Sequence, residues 1–163
     1  MSRNVLLRIS LSMSSLVIAF GALALEPAGG NQDSTKAGGT ANSLTVATAG
    51  APGPYVADQA GIALYYLEGE TDDSKCTGSC LQSWPPFLAG TGAPTANSGL
   101  VAGMIGVIKR SDKSDQVTYN HRPLYHYAGD AGQPGRVNGH RVVDQWGHWY
   151  LVSPAGDEVA AKK

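Results

Sequence analysis

Four sets of side chains in this chain have types and spacings that could do chemistry. The first is Cys76 and Cys80, separated by Thr77-Gly78-Ser79. As thiolates they would be soft ligands for copper or zinc, or a redox pair. As a disulfide they would close a short turn, the simplest state for two neighbouring cysteines in an exported chain. The spacing is not C-x-x-C and no His follows Cys80, so neither a thioredoxin-like motif nor haem attachment is indicated. The second set is His121, His126, His140 and His148, all in the second half. Imidazoles gathered there could bind copper, zinc or haem. No H-x-H or H-E-x-x-H spacing supports a metal site, and half-exposed strand and turn positions account for the same residues. The third set, Glu68, Glu70, Asp72 and Asp73, is an acidic loop without EF-hand spacing.

The fourth set is aromatic. Tyr125, Tyr127 and Asp130 lie in Tyr119-Asn120-His121-Arg122-Pro123-Leu124-Tyr125-His126-Tyr127-Ala128-Gly129-Asp130. A weaker copy lies about 60 residues upstream, where Leu64-Tyr65 aligns with Leu124-Tyr125 and Gly69-Glu70 with Gly129-Asp130. A second anchor follows each copy, Gln82-Ser83-Trp84 and then Asp144-Gln145-Trp146. The matched anchors argue for one supersecondary unit used twice. Tyr125 and Tyr127, two residues apart, would share a strand face and pack against a facing strand. Asp130 after Gly129 would accept backbone N–H groups and fix the next turn. The rival reading is an exposed aromatic platform for a sugar, a cell-wall polymer or a quinone.

These side chains need a scaffold, and the composition points to β structure. The chain has 163 residues, with 21 Gly, 7 Tyr and 3 Trp, and sparse charge. Short alternating runs between Gly and Pro clusters predict strands at 44–48, 55–58, 62–67, 104–109, 116–120, 124–127 and 149–152. Leu64 and Tyr66 fall on one face of the third strand, and Ala63, Tyr65 and Leu67 on the other. A helical turn in 76–84 must stop before Pro85-Pro86. His121-Arg122-Pro123 is read as a turn. The expected fold is mainly β: two pseudo-repeated antiparallel β meanders forming one sandwich or flattened barrel, with short helical turns.

Arg3 and Arg8, the apolar run Ile9 to Leu25 and the A-x-A pattern Ala22-Leu23-Ala24 read as a signal peptide at 1–24. Residues 25–43 read as a flexible linker and 44–156 as the duplicated β domain. Within it, repeat one is about 44–90, an inter-repeat linker about 91–103 and repeat two about 104–156, with a tail at 157–163. The formal charge of −1 shows no polybasic footprint for nucleic acid. No G-x-S-x-G elbow, P-loop or dinucleotide fingerprint occurs, so the enzyme templates fail.

Several of these motifs together resemble a family of bacterial secreted repeats, predicted lipoproteins with a Yx(F/W/Y)xxD motif. Tyr125-His126-Tyr127-Ala128-Gly129-Asp130 fits every specified position, while Tyr65 to Glu70 departs at Leu67 and Glu70. Cys76 to Cys80 before Trp84-Pro85-Pro86 resembles the family's first repeat. His121-Arg122-Pro123-Leu124-Tyr125 resembles its Gly-x-Pro-Leu-Tyr, with His121 in the Gly position. The resemblance implies an extracytoplasmic, duplicated β unit of no established activity. Many members carry a lipobox Cys, and no Cys follows the apolar run here. The chain is therefore expected to be an exported, soluble periplasmic or extracellular protein, without a transmembrane anchor once mature. The expected role is a non-enzymatic binding or envelope-associated module, its partner a cell-envelope polymer, small ligand or protein. A copper, zinc or haem protein is the alternative, and a thiol redox protein comes last.

Overall fold

The computed structural model describes residues 42–51 and 53–160. The proposed leader, all but the end of the proposed linker, and residues 161–163 lie outside them. The described chain is mainly β, built from three small sheets. In the first, β1 (Ser43–Ala47) pairs antiparallel with β2 (Tyr55–Asp58) and parallel with β4 (Thr95–Ala96). In the second, β3 (Tyr65–Leu67) pairs with β9 (Gly147–Leu151), which pairs with β8 (Val143–Asp144). In the third, β5 (Ile105–Lys109) pairs with β6 (Asp115–Tyr119), which pairs with β7 (Arg122–Pro123). The single α-helical turn among the described residues, α1 (Cys80–Ser83), ends at Trp84, before Pro85-Pro86, as the prolines require.

The alternation from Ala63 to the end of β3 at Leu67 sorts the side chains into two cores. Ala63, Tyr65 and Leu67 enter one with Trp84, Tyr125, Trp149 and both cysteines. Leu64 and Tyr66 enter the other with Leu44, Val56, Phe87, Val117, Leu124 and Val152. A strand buried on both faces lies between layers, as in a sandwich. Among the described residues no sheet closes into a barrel.

The two halves repeat one another in backbone detail. Val46 faces Val56 as Val107 faces Val117. Leu64 N–H donates to Val56 C=O at 3.1 Å, and Leu124 N–H to Val117 C=O at 3.0 Å. The closing strands, however, are exchanged. Phe87 of the first half donates to Leu124 C=O at 2.8 Å and accepts from Val117 N–H at 2.9 Å. Val152 of the second half donates to Leu64 C=O at 3.5 Å and accepts from Val56 N–H at 2.8 Å. Each half thus completes its sheet with a segment from the other, and the two expected meanders close on each other as an interlocked pair. The reason is local: Tyr65 and Tyr125 exchange both backbone hydrogen bonds (2.8 and 2.9 Å), and the segment after each tyrosine is carried onto the opposite half.

Three smaller expectations also change. The structural counterpart of Trp84 is Trp149, three residues before Val152 as Trp84 is before Phe87, and not Trp146. The longer Gly/Pro loop after Asp130 shifts the register. The turn after β6 is Asn120-His121, both with positive φ (48° and 62°), joining Tyr119 to Arg122. Arg122-Pro123 is already strand, since the two-residue reversal is complete before it. Lastly, the chain stays packed past Gly156. Glu158 bridges Val152, Val159 N–H donates to Leu151 C=O at 3.1 Å, and the Val159 side chain is buried.

Candidate functional site

The motif residues meet at the junction of the halves. Tyr65 and Tyr125 are fully buried, side by side across their backbone pair. Tyr65 donates its hydroxyl proton to Asp130 Oδ2 (2.6 Å), and Tyr125 donates to Glu70 Oε2 (2.9 Å). The tyrosine of each motif copy is therefore bound by the acid of the other. Asp130 Oδ1 accepts Asn138 N–H at 2.9 Å, so this acid also fixes the following loop. Glu70 Oε1 accepts the N–H groups of Lys75 (3.1 Å) and Cys76 (2.9 Å). Gly69 holds φ +69° just before it, which turns Glu70 back into the core.

These contacts set the electrostatics. Burial pushes both phenols above their ordinary range, and the facing carboxylates add to it. Burial likewise raises the Glu70 carboxyl, against the pull of Cys76 N–H, Tyr125, Lys75 N–H and the Arg110 charge. Arg110 is itself buried. Its Nη1 donates to Gln116 Oε1 and its Nη2 reaches Cys76 C=O at 3.5 Å. Gln116 Nε2 donates to Leu124 C=O at 2.7 Å. A buried cation is thereby placed against a buried acid through neutral dipoles, an arrangement that avoids an uncompensated interior charge.

Aromatic packing binds the same junction. Trp84 is sandwiched between Trp149 (ring centroids 3.9 Å apart, planes 7° off parallel) and Tyr127 (4.3 Å). Tyr65 meets Trp84 edge-on at 5.6 Å, and Tyr125 meets Trp149 at 5.3 Å. Trp84 Nε1 donates to Asp144 Oδ2 at 2.9 Å, tying the first half's anchor to the second half's β8. Asp144 Oδ1 accepts Trp146 N–H at 2.9 Å. Trp146 itself only flanks this core.

Cys76 and Cys80 form a disulfide with Cα atoms 5.2 Å apart, and both are fully buried. A redox pair needs an accessible sulfur, so this burial counts against thiol exchange. The acidic loop is dispersed. Glu70 turns inward, Asp72 accepts Ser74 N–H (3.0 Å), and Asp73 Oδ2 accepts Ser111 N–H (2.7 Å).

The histidines are engaged separately. His126 Nε2 donates to Asp58 Oδ2 at 3.1 Å and meets Phe87 edge-on. His140 Nδ1 accepts Leu151 N–H at 3.2 Å, which leaves its proton on the buried, unpartnered Nε2. His148 Nδ1 lies 3.2 Å from the Tyr150 hydroxyl, and His121 is exposed in its turn. Among the described residues no group of three or more His, Cys, Asp or Glu side chains is placed to hold a metal ion. The convergence expected of a histidine metal centre is therefore not formed.

One face of the second sheet reaches solvent with mixed chemistry. From the second core it runs outward through the paired Tyr66 and Tyr150 (centroids 5.8 Å apart) to Glu68 and His148. The Arg122 guanidinium lies 4.2 Å over the Tyr66 ring, and Arg141 pairs with Glu158 at 2.7 Å beside them. Tyr150 is half-exposed, and His148 and Glu68 are exposed. Sequence reasoning missed this face because Tyr66, Arg122 and Tyr150 belong to no common motif. It likewise missed Arg110 and Gln116, whose burial no local pattern signals.

No curated protein and no solved structure matches the chain. Among the described residues no helix is long and apolar enough to cross a membrane. Residues 106–152, from β5 through β9 and including the complete Tyr125 to Asp130 motif, match the family model described as a secreted repeat of unknown function, so the second half of the chain is similar to that secreted repeat.

Proposed function

We propose that this chain is an exported, non-enzymatic module of the cell envelope, with the Tyr66–Tyr150 face as its contact surface and an envelope glycan as its ligand. The observation that carries this reading is the internal commitment of the motif. Tyr65, Tyr125, Glu70 and Asp130 are buried against one another, so the motif works as the fastener of a duplicated fold. Recognition then falls to the surface. A half-exposed Tyr flanked by His, carboxylates and Arg provides a ring face for a sugar and donors and acceptors for its hydroxyls. The leader-like segment 1–24 and the matched secreted repeat support export.

The test is cosedimentation of the purified protein with isolated peptidoglycan. Tyr150→Ala and Arg122→Ala should each weaken binding when measured at a temperature where both variants remain folded, since both side chains also pack on Tyr66. Absence of wild-type binding, or equal binding by both variants, would reject this surface.

A further inference from the structure

We propose that the outer edge of β5 is a homodimerisation site, at which a second copy of this chain adds its own β5 antiparallel about a two-fold axis through Val107. The internal repeat supplies the first argument. β1 and β5 are equivalent strands, since Val46 faces Val56 as Val107 faces Val117. The outer edge of β1 is closed by the chain's own β4, with Thr95 N–H donating to Asn42 C=O (3.3 Å) and Asn97 N–H to Leu44 C=O (2.9 Å). The fold thus accepts an added strand at this edge when one is supplied. Among the described residues no strand covers the same edge of β5.

Register shows which groups face outward. Asn120 N–H donates to Met104 C=O, and Arg110 N–H to Ser114 C=O. With the observed pairing, the even-numbered residues of β5 bond to β6, and Ile105, Val107 and Lys109 turn their backbone groups away from it. Ile105 N–H is taken by Ala102 C=O. Among the described residues the Val107 and Lys109 N–H groups have no backbone acceptor. Val107 is 44% exposed, an apolar β-branched residue in the middle of an open edge. Such an edge is a template for another strand.

A second β5 fits this edge in hydrogen bonding, shape and charge. A two-fold through Val107 sets each Val107 N–H against the other copy's Val107 C=O, and each Lys109 N–H against the other copy's Ile105 C=O. Gly106, where a Cβ would meet Thr118 Oγ1 at 2.8 Å, then faces Ile108 and adds no side chain to the new contact. Lys109 lies across from Ile105, never from another Lys, and its charge is met within its own chain by Asp115 at 2.7 Å. No like charges are brought face to face.

The test is sedimentation of the purified protein across concentration, with two variants. Val107→Pro removes an N–H that the monomer does not use, so it should melt as the wild type does. It should also weaken dimerisation at least about tenfold, since each dimer loses two hydrogen bonds. Val107→Cys should oxidise to a cross-linked dimer, because directly opposed residues of a hydrogen-bonded pair sit about 5.5 Å apart, within disulfide reach. A wild type that stays monomeric at its highest soluble concentration would overturn the proposal. So would a dimer that Val107→Pro leaves intact.

Discussion

Tyr125 of the second motif copy donates its hydroxyl proton to Glu70 of the first, at 2.9 Å inside the core. The reverse bond, from Tyr65 to Asp130 at 2.6 Å, completes the exchange. Neither half can satisfy its own motif.

That reciprocity makes each phenol worth a measurable amount. Tyr125→Phe removes the donor to Glu70 Oε2 and keeps the ring, so a buried carboxylate oxygen loses its partner. A loss of about 1–3 kcal/mol is expected in urea unfolding. Tyr65→Phe should cost about as much through Asp130. Stability unchanged in both variants would show that the exchanged bonds contribute nothing net.

The exchanged strands predict fragment complementation. Fragments 42–98 and 99–160, cut in the exposed loop at Ser98-Gly99, should each be unstructured alone, because Phe87 and Val152 then lack their partner strands. Mixing should restore β structure and near-ultraviolet dichroism. A fragment that folds cooperatively by itself would contradict the interlocked halves.

The Trp84–Trp149 stack should give an exciton couplet in circular dichroism, since the two indoles lie 3.9 Å apart and nearly parallel. Trp84→Phe or Trp149→Phe should abolish it, and Trp146→Phe should not. A couplet that survives either of the first two changes would disprove the stack.

Asp58 and His140 each give stability a pH dependence of definite sign. Burial raises Asp58, but the His126 bond and the N–H groups of Ile62 and Ala60 outweigh it, and its folded value lies below the ordinary one. Its contribution is present above the unfolded value and is lost as pH falls through the folded one. Asp58→Asn should therefore flatten the acid limb below about pH 4. Burial, then the nearby Arg141, depresses His140. The unfolded chain takes up that proton first, so stability should decline as pH falls from about 6.5 toward the folded value. His140→Gln should remove this slope, and urea midpoints against pH will show whether it does.

His121 occupies a left-handed position, φ 62°, where the resembling family has Gly. His121→Gly should relieve that conformation and stabilise the protein by up to about 1 kcal/mol. By contrast, Gly139→Ala would set a methyl 2.9 Å from the Tyr65 ring and 3.0 Å from Trp84, and should cost about 1–3 kcal/mol. Thermal melts of the two variants should move in opposite directions.

Much of this was legible in the chain because it is local. Alternation at 62–67 assigned every side chain of β3 to its correct face, since a strand's period of two is a backbone property. Pro85-Pro86 fixed the end of α1 for a similar reason. The motif spacing disclosed the duplication, and Asp130 does fix its following loop. The equivalence of Trp84 with Trp146 failed because insertions in a Gly/Pro loop change spacing without changing the strand they precede.

What the sequence determined by itself, then, is the β class, the repeat and the faces of its strands, all set by backbone periodicity and turn chemistry over a few residues. Only the tertiary structure decided that Tyr65 bonds Asp130 and Tyr125 bonds Glu70, that the histidines are held apart, and that β4 covers β1 while β5 stays open. Those outcomes depend on which distant segments share a buried volume. Spacing along a chain places no such constraint until the halves have exchanged their closing strands.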